Sequence, residues 1–169
     1  MNIFAKSAML LSFAYYSSTV SYLWVGQLLG LHNEVWYSFG FPEQSVAPPV
    51  WLALLGVVVG GFTLASLGRS YWAMRGILAG GATQDFRDLA ANLRRIAFGL
   101  IGFWFGYNLM FGALPIVLAV SVDFDGDASI GWDPLDIDVV FAILGIVFLA
   151  ISRTLHRAWE AEEENKQFL

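Results

Sequence analysis

Four stretches of the chain are continuously apolar, and polar or glycine-rich positions separate them. They run over about 8–30, 50–67, 96–122 and 137–151. A bilayer interior of about 30 Å takes roughly 20 helical residues. The first and third runs reach that length directly. The second reaches it when the helix continues to Tyr71. The fourth reaches it when Ser152, Thr154 and Leu155 extend it and Arg153 stretches toward the headgroups. The pattern predicts an all-α fold: an integral membrane four-helix bundle, one domain over 1–169, with spans at about 8–30, 50–71, 96–122 and 137–156. Strands fit poorly. A membrane barrel alternates apolar and polar positions in at least about eight short segments, whereas IGFWFGYNLMFGALPIVLAV is apolar almost throughout. In lipid such a run satisfies its backbone only as a helix.

Two further helical pieces are predicted on the same side of the molecule. Gly80 and Gly81 break the chain after the second run. Thr83 suits an N-cap, and Asp85 a first turn where negative charge favours the helix dipole. The helix opened there, about 83–95, passes into the third span without a break. Phe86, Leu89, Leu93 and Ala97 recur at spacings of three and four and form one apolar face. Asp88, Asn92, Arg87, Arg94 and Arg95 take the other side, where the arginines meet anionic headgroups; a protein-docking face is the alternative. The tail, about 157–169, continues the fourth span as a cytoplasmic helix and ends in Phe168 and Leu169 after a very polar stretch.

Composition and charge sharpen this picture. The chain is 57% hydrophobic and only 14% charged, against about a quarter charged in soluble domains, so much of its apolar surface is expected to face lipid. The net charge of −5 matters less than its distribution. The segments 31–49 and 123–138 carry eight acids and no Lys or Arg, and the rest of the chain carries all nine bases. Lys and Arg stay in the cytoplasm, so both termini are placed inside. Lys6 before an apolar run also fits a signal peptide. The lack of an A-x-A-like site near Ser21 and the continued apolar character to Gly30 favour a retained helix. Trp36, Trp51 and Trp132 fall near the outer boundary, and Tyr71, Trp72 and Trp159 near the inner one, as in an interfacial belt.

Candidate chemistry is sparse. The chain has no cysteine, and the apolar interiors hold no Asp, Glu, Lys, Arg or His, the groups that pumps and coupled transporters need at depth. His32 and His156, the only histidines, fall on opposite sides of the membrane. No catalytic set, no cofactor and no nucleic-acid contact is expected. In the outer segment DFDGDASIGWDPLDID, Asp123, Asp125 and Asp127 are spaced like the first ligands of a calcium loop. Ala128 and Pro134 stand where that loop requires Gly and Glu, so they make only a weak cation candidate. Gly26/Gly30, Gly56/Gly60 and Gly102/Gly106 are small-xxx-small pairs expected to pack helices closely, within the chain or, at Gly102/Gly106, between chains. Asn108 is expected to bond across to another helix. The hydroxyls of Tyr15, Tyr16, Ser17, Ser18, Thr19 and Ser21 suggest a packed interface.

The run ILAGGATQDFRDLAANLRRIAFGL, through Gly80, Phe86, Asn92, Leu93 and Arg94, resembles the inner-loop signature of a bacterial four-helix membrane family, domain of unknown function 2975. The ending with Glu164, Asn165, Phe168 and Leu169 is similar as well. The resemblance covers roughly 72–169. It implies a bacterial inner-membrane protein without assigned enzymatic activity, placed beside small cytoplasmic DNA-binding regulators, and it carries no functional residues over. The expected function is non-enzymatic, regulatory or scaffolding. A protein partner, or a second copy, is expected at Phe86, Arg87, Arg94, Arg95, Glu164, Phe168 and Leu169. The alternatives are an accessory subunit of a larger membrane complex or an uncoupled channel or transporter for a neutral solute.

Overall fold

The computed structural model describes residues 2–30, 49–80, 85–121 and 139–166. These form four helices and, among the described residues, no strand. Helix α1 is α-helical over Asn2–Val20, widens into a π-helical turn at Ser21–Val25 and finishes at Gly26–Leu28. Helix α2 covers Val50–Gly80. Helix α3 runs over Phe86–Asn108, passes through a second π-helical turn at Leu109–Ala113 and continues over Leu114–Ser121. Helix α4 covers Val139–Lys166. Three of the four, α2, α3 and α4, are long and apolar enough to cross a membrane. Helix α1 is not among them, because Lys6 and the hydroxyl-bearing residues at 15–22 dilute its apolar content.

Several boundaries differ from the sequence expectation. Helix α2 continues nine residues past 71, to Gly80, since Ala73, Met74, Arg75, Leu78 and Ala79 all favour helix. The inner helix opens at Phe86 rather than at 83. Asp85, extended at φ −64 and ψ 145, takes the N-cap position without a side-chain capping bond, and its carbonyl accepts the Leu89 N–H at 3.0 Å. Thr83 lies outside the described residues. The segment from Phe86 and the third apolar run form one continuous helix. The tail is likewise one helix with α4, out to Lys166.

The π turn in α3 has a local cause. Pro115 offers no N–H and its ring crowds the carbonyl one turn back, and the turn before it loosens to i→i−5 bonding, with the Leu114 N–H on the Leu109 carbonyl. At the end of α1, Gly30 has φ +66 and donates its N–H to the Gln27 carbonyl at 3.1 Å. It closes the helix in the left-handed conformation that glycine permits.

Helix α3 is the centre of the molecule, packed along α2 on one side and α4 on the other. Against α2 it presents Gly99, Gly102 and Gly106, which meet Ser70, Ser66 and Thr63 rung by rung. A Cβ on Gly102 would stand 2.7 Å from the Ser66 Oγ. Against α4, Gly145 sits over Ala97 and Ile101. Two buried hydroxyls fasten the layer: Ser70 donates to the Ile96 carbonyl at 3.2 Å and Ser152 to the Ala90 carbonyl at 2.8 Å. Helix α1 lies on α2, with Trp24 over Gly56 and Val20 over Gly60. It reaches α3 through Tyr16, which stacks edge-on to Phe103 at 4.9 Å. Val20, Leu23, Trp24, Leu52, Met110, Leu114 and Leu118 form the core where α1, α2 and α3 converge. Among the described residues α1 and α4 do not pack along each other.

Candidate functional site

Two cavities flank α3, on opposite sides. At about 100° per residue, Ile96, Leu100 and Phe103 point one way and Arg87, Ala91 and Arg94 the other. The first cavity is a half-open apolar groove of about 320 Å³ between α1 and α4, floored by α2 and α3. Phe13, Leu67, Leu100, Phe141 and Phe148 make most of its wall, and Ser12, Tyr16, Ser70 and Tyr71 bring the hydroxyls. Phe103 spans its depth by stacking on Tyr16 and, at 5.0 Å, on Phe141.

The second cavity holds the concentration of charge. It is a recess of about 360 Å³ lined by Arg69 from α2, Arg87, Ala90, Ala91, Arg94 and Arg95 from α3, and Ser152, Arg153 and His156 from α4. All five arginines are exposed, while Ala90 and Ser152 are buried and form the floor. The Ser152–Ala90 bond closes that floor. The arginines come together because α3 repeats them at 87, 94 and 95, and because α2 and α4 each place one at the same level.

Guanidinium groups remain charged at any physiological pH. Among the described residues no carboxylate lies within 4 Å of any of the five. The acids along α4 have other partners, one of them the lining residue His156. His156 Nε2 stands 3.5 Å from Glu160, and Lys166 Nζ stands 3.0 Å from Glu163 and 3.1 Å from Glu162. Those two contacts, the Glu163 hydrogen bond first, raise the Lys166 pKa above its ordinary value. Two arginines have neutral partners: Arg95 donates to the Asn92 Oδ1 at 3.3 Å, and Arg87 lies 5.2 Å over the Trp159 ring. The five arginines therefore make a positive pocket with no carboxylate of their own among the described residues, while Glu160 stands against the lining His156.

The sequence candidates divide between several places. Arg87, Arg94 and Arg95 meet in the recess; Phe86 is exposed beside them, 45% accessible; Glu164 is exposed far along α4. Phe168 and Leu169, and with them Asp123, Asp125 and Asp127, lie outside the described residues. Gly56, Gly60, Gly102 and Gly106 all pack helices of this one chain against each other, and Gly26 is buried. Gly30 departs from expectation: it is exposed with nothing within 4 Å of an added Cβ, and it ends a helix instead of packing one. Asn108 departs as well. Its Nδ2 donates to the Trp104 carbonyl at 2.9 Å, one turn back on its own helix, instead of crossing to another.

Arg69, Ser152, Arg153 and His156 were no part of the expected surface. Their helices are neighbours of α3 only in three dimensions, and the one sequence signal was that Arg69 and Arg153 both stand just past an apolar run. Among the described residues no group of three or more His, Cys, Asp or Glu side chains is placed to hold a metal ion. Comparison with family models, with curated proteins and with solved structures found no match.

Proposed function

We propose that the chain is a multi-pass protein of a bacterial inner membrane, with four spans and both ends in the cytoplasm, that works by binding and not by catalysis. Its role in this reading is regulatory or scaffolding. The cytoplasmic partner is a protein that docks on the joined inner ends of α3 and α4, and a small DNA-binding regulator is one such partner. The likeness of Gly80, Phe86, Asn92, Leu93 and Arg94 to the four-helix family belongs to the same proposal. The apolar helices α2, α3 and α4 and the nine-to-zero partition of bases support the membrane part.

The observation that carries the binding part is the way those inner ends are tied together. Helix α4 has 28 residues, about 42 Å at the α-helical rise, which exceeds a bilayer interior of about 30 Å by some two turns. The Arg87–Trp159 contact at the root of this overhang, and the Ser152–Ala90 bond about two turns before it, hold α4 against the start of α3. Exposed Phe86 and Arg87 thus share one surface with the acidic end of α4.

A photo-cross-linking residue at Phe86, in the full chain in native membranes, tests this. One cytoplasmic protein is expected in the adduct, and it should disappear when the chain is cut before Trp159. Lipid adducts alone, or an undiminished protein adduct after truncation, would refute the docking surface. A second reading, an accessory subunit of a larger membrane complex, draws on α4: only 11% of its most apolar stretch is buried. Purification as a lone monomer in mild detergent would count against it.

A further inference from the structure

We infer that the arginine recess is a binding site for the phosphate of an anionic phospholipid headgroup. The residues named for it are Arg69, Arg87, Arg94, Arg95 and Arg153, which all line it. This inference rests on the membrane-spanning reading above.

Three observations converge. The first is composition: three helices each contribute arginine to one pocket, and among the described residues no carboxylate reaches any of them. Like charges gathered this way repel, and an anion bound among them removes the repulsion. Guanidinium forks match phosphate oxygens in pairs, which ammonium groups do not. The second is level. Arg69 stands two residues past the apolar run 50–67 of α2, and Arg153 two residues past the run 137–151 of α4. Both sit where an apolar run gives way to polar sequence, the level at which headgroups lie. The third is what adjoins the pocket. One turn beyond Arg94 on the same side of α3, Phe98 is exposed, and Phe105 follows two turns further along, an apolar track along which an acyl chain lies while its phosphate sits in the recess. Basic pockets between helices on the cytoplasmic side of a membrane bind lipid headgroups in this way. A free phosphate would satisfy the arginines and leave the track unused, so the lipid is the better occupant.

A built site differs from general attraction of basic residues to an anionic surface. General attraction depends on the number of charges near the surface, about equally for each. A site depends on the arginines that line it. Arg75 separates the two cases, because it lies on the same helix as Arg69 but over the Trp72 ring, 5.5 Å from its centroid, and does not line the recess.

The experiment measures thermal unfolding of the full chain in neutral detergent. Short-chain phosphatidylglycerol, phosphatidylcholine, inorganic phosphate or an oligoglutamate peptide is titrated in. Phosphatidylglycerol is expected to raise the Tm and phosphatidylcholine to leave it unchanged. Arg69→Ala with Arg153→Ala should weaken the apparent affinity for phosphatidylglycerol by about tenfold or more. Arg153→Lys should fall between, and Arg75→Ala should match the natural chain. Lipid retention measured by native mass spectrometry covers the case in which the double variant folds poorly. A loss at Arg75→Ala equal to that at the recess would overturn the site in favour of diffuse attraction. Equal shifts with inorganic phosphate would overturn the lipid, and a larger shift with oligoglutamate would assign the pocket to a protein. Sidedness does not enter the titration, so the topology experiment below can fail while this one succeeds, and the reverse.

Discussion

Gly99 shows how little room the helix contacts leave. A Cβ there would collide with the Ser70 hydroxyl and the Ser66 carbonyl, whereas one on Gly61 would meet nothing within 4 Å. Gly99→Ala is expected to cost about 1–3 kcal/mol of stability through overpacking. Gly61→Ala is expected to gain up to about 1 kcal/mol by stiffening the unfolded chain. Thermal unfolding of the two variants in one detergent compares them. Asn108→Ala should cost less than about 1 kcal/mol, because its amide bonds back to its own helix. A larger loss would restore the cross-helix role. The glycine pairs at 56/60 and 102/106 were readable from the sequence because a spacing of four keeps residues on one face. The hydroxyls that meet Gly106, Gly102 and Gly99, on Thr63, Ser66 and Ser70, were not, since hydroxyl residues in an apolar helix look the same whether they face a neighbour, lipid or their own backbone.

Between elements, the joint of α3 and α4 near the arginine recess has two fastenings about two turns apart along α4. Ser152 reaches the Ala90 carbonyl, and Trp159 lies under Arg87. Ser152→Ala is expected to cost about 0.5–1.5 kcal/mol. With Trp159→Ala it should form a double-mutant cycle with measurable coupling, as both act on one joint. Additive losses would mean that the tail of α4 moves independently of the start of α3. The continuity of α3 from the inner segment into the apolar run was legible, because the helical period passes through residues 86–97 without a break. The nine extra residues of α2 were not, because the apolar run ends well before the helix does. The recess was half legible: α3 shows its own arginines by spacing, but only the fold brings Arg69 and Arg153 to them.

For the whole molecule, the decisive issue is how α1 sits, since it lies outside the three helices that are apolar enough to cross by themselves. The natural absence of cysteine makes single-cysteine labelling clean. His32→Cys and Gly126→Cys are expected to react with an impermeant maleimide on intact spheroplasts, and Asn165→Cys only after lysis. Reaction of Asn2→Cys before lysis, together with His32→Cys and Gly126→Cys, would mean that α1 lies along the outer membrane surface and that only three helices cross. Charge partition made the sidedness readable as an expectation, but the arrangement of helices was beyond it. Nothing in the pattern of residues distinguishes a closed ring of four from a layer with α3 in the middle and α1 on one face. That layer has a consequence for sequence drift. Each rung between α2 and α3 pairs a glycine with a hydroxyl residue, and the gap between the helices is set by the sum of the two. Exchanging the partners, as in Ser66→Gly together with Gly102→Ser, keeps that sum where either change alone does not. Over a lineage, the rungs would therefore be preserved as pairs of compensating sizes while the individual letters changed.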